Sequence, residues 1–136
     1  MKLIICVGER GEMVFNKRRV SRDKLVVSDI AEYVGDATLF MEPYSEELFS
    51  EAELNIILSE NALRFAEDGD FIFLERQDPL PYAEAANELI IYNWNRRYPF
   101  DLAMKFSPKG LGFKLESVYE FKANAHDKVT RKVYKK

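Results

Sequence analysis

Leu3-Ile4-Ile5-Cys6-Val7 is an uninterrupted apolar run that stops at Gly8, the pattern of a strand covered on both faces. Further short runs follow at Thr38-Leu39-Phe40-Met41, Asn55-Ile56-Ile57-Leu58, Phe71-Ile72-Phe73-Leu74 and Leu89-Ile90-Ile91-Tyr92. Strands of this kind need a layer on each side, and the segments between them supply it. Ser21 to Val34 places Val26, Ile30 and Val34 at fourfold spacing beside Val27 and Ala31, which predicts an amphipathic helix with a serine near its start and Gly35 as its stop. Pro43 and Ser45 precede a short helix with acids near its positive end. Ser59 is placed to cap a helical turn from Glu60 to Glu67, and Asp78-Pro79 opens an alanine-rich turn through Ala86.

Beyond Pro99 the pattern changes. Phe113 to Phe121 alternates in part, and Lys128 to Tyr134 sets Val129, Arg131 and Val133 against Thr130, Lys132 and Tyr134. Two antiparallel strands are expected there. The stretch from Gly8 through Gly11 and Asn16 reads as a polar connection. The expected architecture is α/β: a single domain over residues 1–136, with a mixed, mostly parallel central sheet flanked by short helices and closing in an antiparallel C-terminal hairpin.

The 136 residues are enough to bury roughly two thirds of the unfolded surface. Ten Phe, seven Tyr and one Trp supply large pieces of core. A net charge of −3 argues against a general nucleic-acid binder, whose basic surface would dominate the balance. The first apolar run is too short for a signal peptide or a membrane span, so a cytoplasmic location is expected, with no membrane contact.

Cys6 is the only cysteine, which excludes an internal disulfide and a cysteine-rich zinc site; on a buried strand it is a packing residue. His126 is the only histidine, so a histidine-rich metal site is excluded, and its setting of Asn124-Ala125-His126-Asp127 reads as a hairpin turn. No metal is expected, because acid pairs such as Glu46-Glu47 read as solvated helix ends. Two basic clusters, Lys17-Arg18-Arg19 with Arg22 and Lys128 with Arg131, Lys132, Lys135 and Lys136, read either as solvated surface or as phosphate contacts. Trp94, Arg96, Arg97 and Tyr98 follow a strand and are residue types that dominate binding hot spots. An aromatic capping the core under stacked arginines explains them equally well.

In order and in several local residues, the chain resembles dihydrofolate reductase along nearly its whole length. Met1 to Val7 looks like the first strand of that family. Leu39-Phe40-Met41 with Tyr44-Ser45-Glu46-Glu47-Leu48 is similar to the strand and helix flanking the cofactor phosphates, and Gly69 to Leu74 precedes the position of the family's paired glycines. Leu89 to Tyr92, Tyr98-Pro99-Phe100-Asp101 and Leu115 to Tyr134 resemble the late strand, the acidic loop and the closing hairpin.

The resemblance implies a pterin-binding acid at Asp23 and a phosphate-contacting hydroxyl at Ser45, but it breaks where NADPH would bind. Glu75 and Arg76 occupy the place of the glycines, where backbone must approach a pyrophosphate closely and a carboxylate would repel it. Glu42 and Pro43 stand where a basic residue would meet phosphate. Asp23 also reads as a first-turn acid favoured by the helix dipole.

No cofactor is therefore expected. The leading expectation is a non-catalytic reductase-like domain that binds another macromolecule, as a regulatory or inhibitory protein-interaction module. Its candidate contacts are Arg18, Arg19, Trp94, Arg96, Arg97 and Tyr98. The alternatives are a divergent NADPH-dependent reductase of a pterin-like heterocycle using Asp23, and a nucleic-acid contact through the basic clusters.

Overall fold

The first apolar run is strand β1 (Lys2–Val7), and it lies in the middle of a seven-stranded sheet. The computed structural model describes residues 1–136. In chain order the elements are β1, β2 (Glu12–Phe15), β3 (Arg18–Arg19), α1 (Lys24–Val34), β4 (Thr38–Met41), a 3₁₀ turn over Pro43–Phe49, and β5 (Asn55–Leu58). After them come α2 (Ala62–Phe65), β6 (Phe71–Phe73), α3 (Leu80–Ala85), β7 (Glu88–Asn93), β8 (Leu102–Ala103), a 3₁₀ turn over Lys109–Leu111, β9 (Lys114–Phe121) and β10 (Val129–Lys135).

The large sheet runs β5-β4-β6-β1-β7-β10-β9. Its first five strands are parallel, and β10 joins β7 and β9 in antiparallel register, so the expected mixed sheet and closing hairpin are both present. Alternation along β1 divides the core. Leu3, Ile5 and Val7 face one cluster with Phe40, Ile72 and Phe113; Ile4 faces the other with Val26, Ile30 and Val34 of α1. Both faces of the central strand are thus packed, with Cys6 alone of the apolar run partly accessible, which is why its sequence is continuously apolar.

Several expectations need correction. The helix starts at Lys24 rather than Ser21, because Asp23 is the cap: its Oδ1 accepts the Leu25 amide at 2.9 Å from extended backbone. Gly35 stops the helix as expected, at φ +60°. The segment after Pro43 is a 3₁₀ turn, and α2 shrinks to Ala62–Phe65, with Ser59 Oγ accepting the Asn61 amide instead of a helical one.

The larger correction is a second sheet, of order β3-β2-β8, where the sequence reads as a polar connection. β2 is short, and its partner β8 lies far along the chain, so no local pattern announces the pairing. Gly11 makes it possible: at φ +86°, an added Cβ would sit 2.3 Å from the Met104 carbonyl oxygen.

Candidate functional site: a cleft filled by its own side chains

In an open parallel sheet, ligands bind beyond the carboxyl ends of the strands. Here Glu75 beyond β6 and Trp94 beyond β7 meet Cys6 of β1 and Arg19 of β3 around one small cavity, and Glu42 at the end of β4 bonds the residue after Glu75. Arg19 fills the centre. Its Nε lies 2.8 Å and its Nη2 3.0 Å from the two Glu75 carboxylate oxygens, a bidentate pair with side chains only 10% and 8% exposed. Ser45 Oγ donates to the same Glu75 at 2.7 Å, and Arg19 Nη1 reaches Glu47 at 3.0 Å.

The neighbouring acid and base are also engaged. Buried Glu42 accepts the Arg76 amide at 2.8 Å. The guanidinium groups of Arg76 and Arg19 lie 3.9 and 4.3 Å from the Tyr44 ring centroid. Burial works against charge on Arg19, but its bonds to Glu75 outweigh this and hold it protonated. The cavities left around Cys6, Glu75 and Trp94 measure about 10 and 20 Å³, hardly more than one water requires.

Beside this pair, Ser21 Oγ lies 2.7 Å from His126 Nε2, and His126 Nδ1 lies 2.9 Å from Asp23 Oδ2. An ionised carboxylate only accepts, so Nδ1–H donates to Asp23, while Nε2 and the Ser21 hydroxyl share the second bond. Asp23 also takes the amides of Leu25, Asn124 and Ala125. Burial pushes its carboxyl up, but His126 and these three amides outweigh the effect and hold it below the usual range.

The order of serine, histidine and carboxylate is that of an activated nucleophile. Ser21, however, lines the two small cavities, neither of which is large enough for a substrate acyl group. The three residues therefore clamp the β9–β10 turn onto the start of α1. A surface basin of about 420 Å³ between α1 and the 3₁₀ turn adjoins this group, with Arg22, Asp23, Val27 and Leu48 in its lining.

The structure sorts the sequence candidates. Trp94 is 3% exposed and stacks on His126 at 4.6 Å, so it caps the core, and Arg19 is spent on Glu75. These two present no free surface to a partner. Ser45 is buried against Glu75 and Asp23 is enclosed by its amides. Arg18, Arg96 and Arg97 are exposed, and Tyr98 is half-buried with its amide bonded to Glu12. Glu12 itself escaped the sequence reading. It is completely buried at the start of β2, and nothing local distinguishes it from a solvated acid.

Burial and the Glu75 carboxylate push the Cys6 thiol far above its ordinary value. The expected result is that Ellman's reagent leaves native protein unmodified at neutral pH and titrates Cys6 fully after denaturation. Rapid native reaction would show a cleft that opens. No group of three His, Cys, Asp or Glu side chains is placed to hold a metal ion, and no helix is long and apolar enough to cross a membrane.

No protein-family model and no curated protein sequence matches the chain. Among solved structures, a dihydrofolate reductase from Enterococcus faecalis, complexed with NADP(H) and RAB-propyl, superposes with a TM-score of 0.68 over 98% of this chain and 94% of that one, at 11% identity. At that identity the likeness speaks for architecture and not for activity. The chain has a diverged dihydrofolate reductase-like fold.

Proposed function

We propose that this is a reductase-like domain without reductase chemistry, whose task is to bind another macromolecule, a protein, as a regulatory or inhibitory module. The observation that carries the reading is the buried Arg19–Glu75 pair with Ser45, which occupies the place where the resemblance puts the cofactor phosphates. A dinucleotide entering there must break a bidentate ion pair and then face the released carboxylate. Asp23 lends no support to pterin chemistry, since its oxygens already serve three amides and His126. The basic clusters give nucleic-acid binding little more, since Arg19 is paired with Glu75 and Arg131 is bonded to Asp29 at 2.8 Å.

NADPH titration tests this directly. A micromolar site saturated at millimolar ligand would stabilise the fold by about 4 kcal/mol. The expected outcome is an unchanged melting temperature and no quenching of nucleotide fluorescence. A saturable upward shift would restore the NADPH-dependent reductase as the better reading.

A further inference from the structure

We propose that the free edge of β5 is the docking surface of this domain, and that a partner protein adds there, as a further strand, an extended apolar segment flanked by lysine or arginine. The inference rests on the macromolecule-binding reading above and names its surface and chemistry. The large sheet ends in β5 on one side and in β9 on the other. β9 is guarded as exposed edges commonly are, with Lys114, Glu116 and Glu120 along it and a register shift beside Glu116. β5 is Asn55-Ile56-Ile57-Leu58, with no charge, no proline and no shift in its register.

The ladder to β4 fixes which groups are free. The Ser59 amide donates to the Met41 carbonyl at 2.9 Å, in step with the Met41–Leu58 pair. Backbone groups alternate along a strand, so those of Asn55 and Ile57 turn toward β4, and the N–H and C=O of Ile56 and Leu58 point away from the sheet. Ile57 and Leu58 are 47% and 39% exposed, and Phe65 of the following helix α2 is 57% exposed. A strand added at this edge pairs the outward backbone groups and covers apolar side chains in one step.

Charge selects the partner. Residues 51–68 hold Glu51, Glu53, Glu60, Glu67 and Asp68 against Arg64 alone, a net charge of −4, and the rest of the chain sums to +1. These acids are not neutralised: the Met1 ammonium, 3.7 Å from Asp68, is the only cation in ion-pair contact with any of the five. Arg64 lies over the Phe65 ring instead. Glu53 and Glu60, both exposed, stand two residues beyond either end of β5, so an added strand meets a carboxylate at each end. A second copy paired antiparallel about Ile57 would bring Glu53 of one chain beside Glu60 of the other, and nucleic acid would be repelled by the same groups. A segment with cations outside an apolar centre complements both the ladder and the charge.

Fluorescence anisotropy of a labelled peptide of alternating valine and threonine between paired lysines, titrated with the full chain, tests the assignment. Saturable binding, weakened by salt, is expected. Glu53→Lys/Glu60→Lys should reduce affinity by about tenfold or more, and the same reversal on the opposite edge, Glu116→Lys/Glu120→Lys, should leave it unchanged. Leu58→Pro removes one outward N–H and leaves the Ile57 and Ser59 groups on β4; proline is tolerated where an edge N–H faces solvent, so this variant is expected to fold and not to bind. Circular dichroism checks the fold of each variant. Amide exchange reads the ladder directly, with Ile56 and Leu58 exchanging rapidly in the free chain and slowly in the peptide complex. Binding indifferent to the Glu53 and Glu60 reversal, binding without protection of Ile56 and Leu58, or tighter binding of the same peptide with glutamates in place of lysines overturns the proposal. A protein captured from lysate equally by wild type and by Glu53→Lys/Glu60→Lys would sink this surface while leaving macromolecule binding intact. Failure of the wild type both to bind the peptide and to capture any protein would sink both.

Discussion

Glu75→Ala is expected to destabilise the domain by about 3–5 kcal/mol, because it strands a guanidinium in a site where both partners are nearly excluded from water. Nothing nearby can replace the lost carboxylate. Glu47 already holds Arg19 Nη1 but is itself 64% exposed, and Ser45 Oγ loses its acceptor in the same step. Against a total stability of roughly 5–15 kcal/mol for a domain of this kind, the loss is large, and it is expected to lower the melting temperature by more than 10 °C, at about 4 °C per kcal/mol. Chemical denaturation of Arg19→Met, Glu75→Leu and the double variant Arg19→Met/Glu75→Leu gives the coupling. The double variant, which fills the same space without charge, is expected to recover most of the stability. If Glu75→Ala melts within a few degrees of wild type, then water or a rotated Arg19 relieves the site, and the cleft is looser than its geometry indicates.

The second large effect is expected at Asp23. Replacing it with alanine removes the cap of α1 and leaves the amides of Asn124 and Ala125 and His126 Nδ1–H without an acceptor, a loss on the order of 3–4 kcal/mol. Asp23→Asn keeps a capping oxygen and is expected to cost clearly less. His126→Ala tests the clamp from its other end, and it should also remove the stack under Trp94 and the hydrogen-bond partner of Ser21.

The same carboxylate gives a pH dependence whose direction is fixed. Asp23 is held below its ordinary value, and so is Glu12, where burial is outweighed by its own backbone amide, those of Tyr98 and Arg10, and the Arg10 charge. A depressed carboxyl contributes its full stability above the unfolded value of about 4 and loses it as pH falls through the folded value. Denaturant midpoints should therefore be level above about pH 5 and fall steeply in acid, with the fall reduced in Asp23→Ala. An unchanged acid limb in that variant would place the proton uptake elsewhere.

Several parts of the fold were open to local reading. β1, β4, β6 and β7 announce themselves because a strand buried on both faces must be apolar at every position, and that requirement is written into consecutive residues. The α1 periodicity and its Gly35 stop are equally local. The second sheet is not, since β2 finds β8 only after most of the chain has intervened. The candidate site was legible in part. The glycine positions filled by Glu75 and Arg76 are visible in the sequence, but a carboxylate and an arginine 56 residues apart carry no mark of being bonded.

Sequence alone thus determined the parallel strands of the large sheet, α1 and the closing hairpin, because these follow from hydrophobic periodicity and from cap and stop residues a few positions apart. Tertiary structure decided the fate of the charged groups. Arg19 went inward to Glu75, Asp23 met His126 across 103 residues, Glu12 became a buried staple, and Arg96 and Arg97 stayed in water. A charged side chain is soluble wherever it faces solvent, so its residue type does not fix its place. Only the arrival of a partner from a distant strand makes its burial favourable.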